Sequence, residues 1–117
     1  MSGHLQREIE NLKKKLLALG AFVEEDVQKA VTAISERNAA AAREVIESDP
    51  EIDKIEIDIE EDCLKVLALH QPVAIDLRFI VAVLKINNDL ERIGDLAVNI
   101  AERAAFLATQ ERVNIPF

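Results

Sequence analysis

Apolar residues recur at intervals of three and four along most of the chain, the spacing that gathers them on one face of an α-helix. Over residues 4–35 the series runs Leu5, Ile9, Leu12, Leu16, Leu19, Val23, Val27, Ala30 and Ile34. Gly20 interrupts this helix at a cost of about 1 kcal/mol, which a helix of this length absorbs. Ser35-Glu36-Arg37-Asn38 reads as a tight turn, with Asn38 as N-cap of the next helix. The second series, over 39–70, keeps Val45, Ile52, Ile55, Ile59, Cys63 and Val66 in one phase. Pro50 falls inside it, where it lacks a backbone donor and clashes with the carbonyl of Ile46. Ser48 and Glu51 have capping-box spacing, which predicts a kink or restart near 48–50 between two nearly collinear segments. His70-Gln71-Pro72 forms the second turn, and Pro72 closes one helix and opens another. The third helix covers 73–109, with Phe79, Val83, Ile86, Leu90, Ile93, Ala97, Ile100, Ala104 and Leu107 predicted to face inward. Residues 113–117 lose the period. Helices of this length extend ~50 Å, and short turns make neighbours antiparallel. The expected architecture is all-α: an elongated antiparallel up-down-up three-helix bundle, with residues 1–117 forming a single domain.

A second pattern lies over the first on the third helix. Asn88, Glu91, Asp95, Asn99 and Glu102 form a polar row within a sector of roughly 80°, nearly opposite the predicted apolar stripe. Glu91 and Asp95 are an i,i+4 carboxylate pair, and so are Asp49 and Asp53 beside Pro50. If the second and third helices fold back at 70–72, positions whose numbers sum to about 143 lie side by side, which brings the two pairs together. Like charges at that distance repel unless a cation lies between them or some are protonated. Carboxylate and amide oxygens are hard ligands suited to Mg²⁺, Ca²⁺ and Mn²⁺, and rows of carboxylates also hold iron and sometimes zinc. Long helices carry solvated acidic faces as a matter of course, so periodicity leaves a metal site and a wet face both open. Asn99 and Glu102 extend the row beyond the two pairs. Catalysis has little support: His4 and His70 stand at helix ends, no Glu-x-x-His signature occurs, and no Gly-rich phosphate loop is present.

Composition narrows the picture. Three per cent aromatic residues among 50% hydrophobic ones require an aliphatic core, and 31% charged residues suit helices with wet outer faces. A net charge of −8 argues against nucleic acid as a partner, because phosphate contacts need Lys and Arg. It suits cations or a basic protein surface. Cys63 has no internal partner and sits at an apolar helical position, as a buried thiol in a reducing compartment would. No apolar run approaches the ~20 residues of a membrane span, and the N-terminus has no apolar signal segment. The expectation is a cytoplasmic protein.

These residues also resemble a known family. His70-Gln71-Pro72-Val73-Ala74-Ile75-Asp76-Leu77-Arg78, followed by L-K-I-x-x-D-L-E-R-I-G-D-x-A-x-N-I-A-E-R over 84–103, is similar to the PhoU family of accessory regulators of phosphate-specific transport. His70 stands where the family usually has Arg. V-I-E-S-D-P-E-I-D in the second helix and L-L-A-L-G-A-F-V-E in the first fit the same family, so the resemblance covers almost the whole chain. It implies a three-helix bundle, usually duplicated, of which this chain carries one copy equivalent to the N-terminal half. It implies a cytoplasmic, non-enzymatic negative regulator of phosphate uptake and of the phosphate-starvation response, an adaptor between the transporter's ATPase subunit and a membrane sensor kinase. Homodimers are expected, since two copies could imitate the tandem protein. The family's E/D-x-x-x-D motifs, which hold iron or zinc in some members, correspond here to Asp49/Asp53 and Glu91/Asp95. Two competing readings are a metal-storage or metal-dependent enzyme on a helical bundle and a plain helical assembly module.

Overall fold

A computed structural model describes residues 2–110; the aperiodic stretch 113–117 lies outside the described residues. Three helices follow one another: α1 (Ser2–Ser35), α2 (Ala39–His70) and α3 (Ala74–Ala108). They pack in an elongated bundle of 63 × 26 × 16 Å, in which every helix contacts the other two. Both turns form where the sequence places them. Asn38 takes an extended conformation, and its side-chain oxygen accepts from the Ala41 amide at 3.1 Å, which satisfies one of the free donors at the start of α2. Gln71, with φ 45° and ψ 55°, closes α2 by donating its amide to the Leu67 carbonyl at 3.2 Å. The Arg37 guanidinium donates to the Leu107 and Gln110 carbonyls, which pins the first turn against the end of α3.

Two expectations are corrected. The restart at 48–50 does not occur: α2 passes through Pro50 as one helix. Pro50 is exposed, so the carbonyl that loses its partner there can reach water. The inward face of α3 is also rotated from the one expected. Val83, Leu90, Ala97 and Ala104 are inside or partly so, but they share the seam with Ile80, Asn87, Gly94 and Ala101. Ile86, Ile93 and Leu107 are exposed, as is Ile34 of α1. Both series on α3 have a seven-residue repeat and share every second member. The bundle selects the one with small residues, which lets α3 approach two neighbours at once.

The interior divides along the long axis. One half is filled by large aliphatics, including Leu12, Leu19, Val23, Ile52, Ile59, Val66 and Ile80, with Cys63 among them. The other half is built mainly of alanine: Ala30, Ala33, Ala41, Ala42, Ala97, Ala101 and Ala104 around Val45. Between the halves, Asp26 is buried and the Ser48 hydroxyl lies 2.7 Å from its Oδ2 and 2.8 Å from the Val45 carbonyl. Across the α1–α2 contact, Lys15 bridges to Asp58 and Asp62 and Lys29 to Glu44. These pairs are largely exposed and screened by solvent, so they contribute little.

Candidate metal centre

The groove between α2 and α3 carries the acidic residues. The antiparallel register is the one the turn at 70–72 predicts: the Asn87 side-chain amide donates to the Glu56 carbonyl at 3.0 Å, and those two numbers sum to 143. One turn further along, Asp49 and Asp53 of α2 face Asp95 of α3. A carboxylate oxygen from each of the three lies within 4.8 Å of the others. Glu91 stands one turn away and lines the same open cleft with Asp53, Glu56, Ile57 and Asp95. Of the remaining members of the row, Glu102 is near enough for its charge to be felt at Asp49, whereas Asn99 is exposed with no contact that draws it into the group.

The electrostatics follow from this crowding. Burial raises the pKa of Asp49 above the usual carboxylate range, and the charges of Asp53, Asp95, Asp26 and Glu102 add to it. Asp95 is raised in the same way, by desolvation and then by Glu91 and Asp53. One oxygen of Asp49 is buried without a hydrogen-bond partner.

Glu56 is the residue that reading the polar row misses. It is 3% exposed, and its Oε1 has no partner. Burial first, then the neighbouring Glu91 carboxylate and the charges of Asp53 and Asp95, push its pKa up to about 8. Glu56 therefore keeps a proton at neutral pH. A signal for Glu56 was present: it lies between Ile52 and Ile59 at four-and-three spacing, in phase with the apolar seam of α2. Asn87 and Asp26 sit in the seams of their helices in the same way, and all three are buried.

The donor set decides what such a groove can hold. All the converging ligand atoms are carboxylate oxygens, which suit hard cations: iron, Mn²⁺, Mg²⁺ or Ca²⁺. Among the described residues no softer donor joins them. Cys63 is fully buried in the aliphatic core and its thiol is pushed up to about 11 by burial, so it is not a thiolate at neutral pH. His70 is at the far end of α2, with Nε2 3.1 Å from Glu8. A multivalent cation between Asp49, Asp53 and Asp95 would offset their mutual repulsion and supply a partner for the orphaned Asp49 oxygen.

Comparison with known proteins gives a consistent result. The family model described as "PhoU domain" matches residues 16–104. The chain is 45% identical over 106 residues to the phosphate-specific transport system accessory protein PhoU homolog of Aquifex aeolicus, covering 91% of this chain and 48% of that one. It is 39% identical to PhoU homolog 1 of Thermotoga maritima, over 92% of this chain and 47% of the relative. The crystal structure of PhoU from Pseudomonas aeruginosa superposes with a TM-score of 0.86 at 42% identity, covering 88% of this chain and 49% of that one. The chain thus spans about half the length of the curated relatives it matches.

Proposed function

Because the chain belongs to the PhoU family, we propose that it acts as an accessory regulator of phosphate uptake, working through protein contact and not through catalysis. In this reading it restrains uptake and the phosphate-starvation response as an adaptor between the transporter's ATPase subunit and a membrane sensor kinase. The observation that carries the regulatory part is the match along nearly the whole chain to relatives named as accessory proteins of phosphate transport. Long polar helix faces suit an adaptor, and among the described residues no helix is long and apolar enough to cross a membrane.

The same proposal gives the acidic groove a cation. Asp49, Asp53 and Asp95 would hold it, with Glu91 at the edge of the same cleft and Glu56 beneath. Bound there, a multivalent ion would supply positive charge that fixes α2 against α3 and changes the potential presented to a partner. The support is geometric: three carboxylates from two helices within 4.8 Å, one oxygen unpartnered, and no lysine or arginine ion pair to any of them among the described residues. Elemental analysis and thermal melting test this part. Iron or Mn²⁺ is expected to raise the melting temperature of the parent but not of Glu91→Gln/Asp95→Asn. Identical metal responses of the two proteins would end the metal reading. The adaptor reading is tested by pull-down from phosphate-replete cells, including the membrane fraction. Absence of transporter ATPase and sensor kinase from every eluate refutes it.

A further inference from the structure

A second cavity opens on the α2–α3 groove, closer to the 70–72 turn than the Asp49, Asp53 and Asp95 group. Its volume is about 180 Å³. Two buried side chains line it, and each has an oxygen without a partner: Glu56 with Oε1 and Asn87, 5% exposed, with Oδ1. The Asn87 amide has its orientation fixed. Its nitrogen donates to the Glu56 carbonyl, and a carbonyl only accepts, so Oδ1 is the end left over. A carboxyl oxygen also accepts, in the neutral acid as in the carboxylate. Buried acceptors without donors are costly, so this floor suits a ligand that donates more than once. The rest of the lining agrees. Glu60 and Glu91 stand exposed at the mouth beside Asn88, and no lysine or arginine among the described residues lines the cavity. Ile57 and Leu84 supply apolar walls.

We propose that this cavity is a socket for an arginine presented by a partner protein. A guanidinium has five N–H donors spread over a rigid plane, accepts nothing, and is always charged. It can donate to Glu56 and Asn87 on the floor while its charge faces Glu60 and Glu91. Its methylene stem lies along Ile57 and Leu84. A lysine carries all its donors on one atom and satisfies fewer of these separated acceptors. A metal ion fits less well still. It needs ligand oxygens that converge on one point, and among the described residues only Asp49, Asp53 and Asp95 provide three that do.

The groove beyond the socket shows what accompanies the arginine. Leu64 lies seven residues from Ile57 and four from Glu60, on the same strip of α2. Leu77 and Val81 precede Leu84 by seven and three, on the same strip of α3. In the antiparallel register these three leucine and valine side chains are nearly level, and they are 53%, 39% and 39% exposed. An aliphatic lip thus stands ~10 Å from the socket, the rise of about seven helical residues. An amphipathic helix with an arginine and a leucine seven residues apart fills both places at once. The chain's net charge of −8 favours the approach of such a basic segment. This deepens the adaptor reading and rests on it for a partner in the cell.

Titration of the labelled protein with a peptide, followed by NMR, tests the socket. The peptide is a helical sequence of alanine and glutamine with one arginine at its centre and a leucine seven residues to each side. A chelator keeps metal out of the neighbouring carboxylates. Binding is expected to saturate by about 1 mM and to move the side-chain amide signals of Asn87 and Asn88. Citrulline in place of arginine has the same shape without the charge and should weaken binding at least about tenfold; lysine should weaken it severalfold. Glu60→Lys, at the mouth, should weaken it at least about tenfold, whereas Glu36→Lys, the same charge change in the first turn, should leave it within about twofold. Glu56→Met removes the floor acceptor and puts an apolar side chain in an apolar phase, so it should fold and bind the peptide less tightly. No binding of the arginine peptide overturns the socket, as does equal binding of the citrulline peptide or indifference to Glu60→Lys and Glu56→Met. Acetyl-arginine amide that binds as tightly as the peptide overturns the docking of a partner helix. The peptide is read without cell extract, so the socket and the adaptor reading, tested by pull-down, fail separately.

Discussion

Replacing Glu56 with Gln is expected to remove a pH-dependent load on the fold. In the folded protein Glu56 keeps its proton up to about pH 8, whereas an ordinary glutamate loses it near 4.5. Between those values the native state binds more protons than the unfolded state, so its stability falls as pH rises through the window. Below it both states are protonated and the group contributes nothing; above it the full cost is present. At 1.36 kcal/mol per pH unit the interval corresponds to at most ~5 kcal/mol above pH 8, and to ~3 kcal/mol at pH 7. Gln has the size of the neutral acid and no proton to lose, and it also relieves the repulsion at Glu91. Urea unfolding followed by far-UV circular dichroism, with a chelator present, reads the effect directly. At about pH 5 the parent and Glu56→Gln should agree within ~1 kcal/mol; at about pH 8 the variant should be more stable by ~3–5 kcal/mol. At neutral pH the difference corresponds to on the order of 10 °C in melting temperature for a domain of this size. Parallel stability profiles for the two proteins across this range would refute the reasoning, because Glu56 would then not be the buried acid the geometry makes it.

Two further substitutions check the helix ends and the helix contacts. Asn38→Ala removes the acceptor for the Ala41 amide and should cost ~1 kcal/mol, measured as a lower urea midpoint with unchanged m-value. Gly94→Ala should be tolerated and should raise stability by up to ~1 kcal/mol: a Cβ there meets only Ile52 Cγ2, at an ordinary 3.7 Å, and alanine is the better helix former.

Much of this molecule is legible in its sequence. Long apolar series at three and four identify three helices; Asn38 marks the first turn because its side chain can cap a helix start, and Pro72 the second because it lacks a backbone donor and disfavours helix in the residue before it. The turn at 70–72 then fixes which residues of α2 and α3 are level, which predicts that Asp49, Asp53, Glu91 and Asp95 share one groove; Asp49, Asp53 and Asp95 converge there, with Glu91 one turn away. What stayed hidden has a common cause. The rotation of α3 differs from the expected one because two interleaved seams compete, and the outward one has the larger side chains. Ile86 and Ile93 look like core, whereas the positions that face the bundle beside them hold the small Gly94 and Ala101, which carry no hydrophobic signal. Glu56 and Asn87 were passed over because a charged or amide residue in an apolar phase reads as an exception. Their burial depends on a neighbour supplied from another helix. Pro50 suggested a restart, but an exposed proline within a well-packed helix need not interrupt it.

The division of the interior into an aliphatic half and an alanine half bears on how the molecule opens. Alanine side chains remove little surface from water, so the end built from Ala30, Ala42, Ala97 and Ala101 has the smaller hold on its own helices. That end should separate before the rest and exchange its amides sooner. The acidic groove sits near the border between the two halves. An ion gripped there would act as a rivet at the point where a split beginning in the alanine end has to stop. In such a molecule the ion's main effect falls on how far the helices part, and so on how much of the α2–α3 groove a partner can enter.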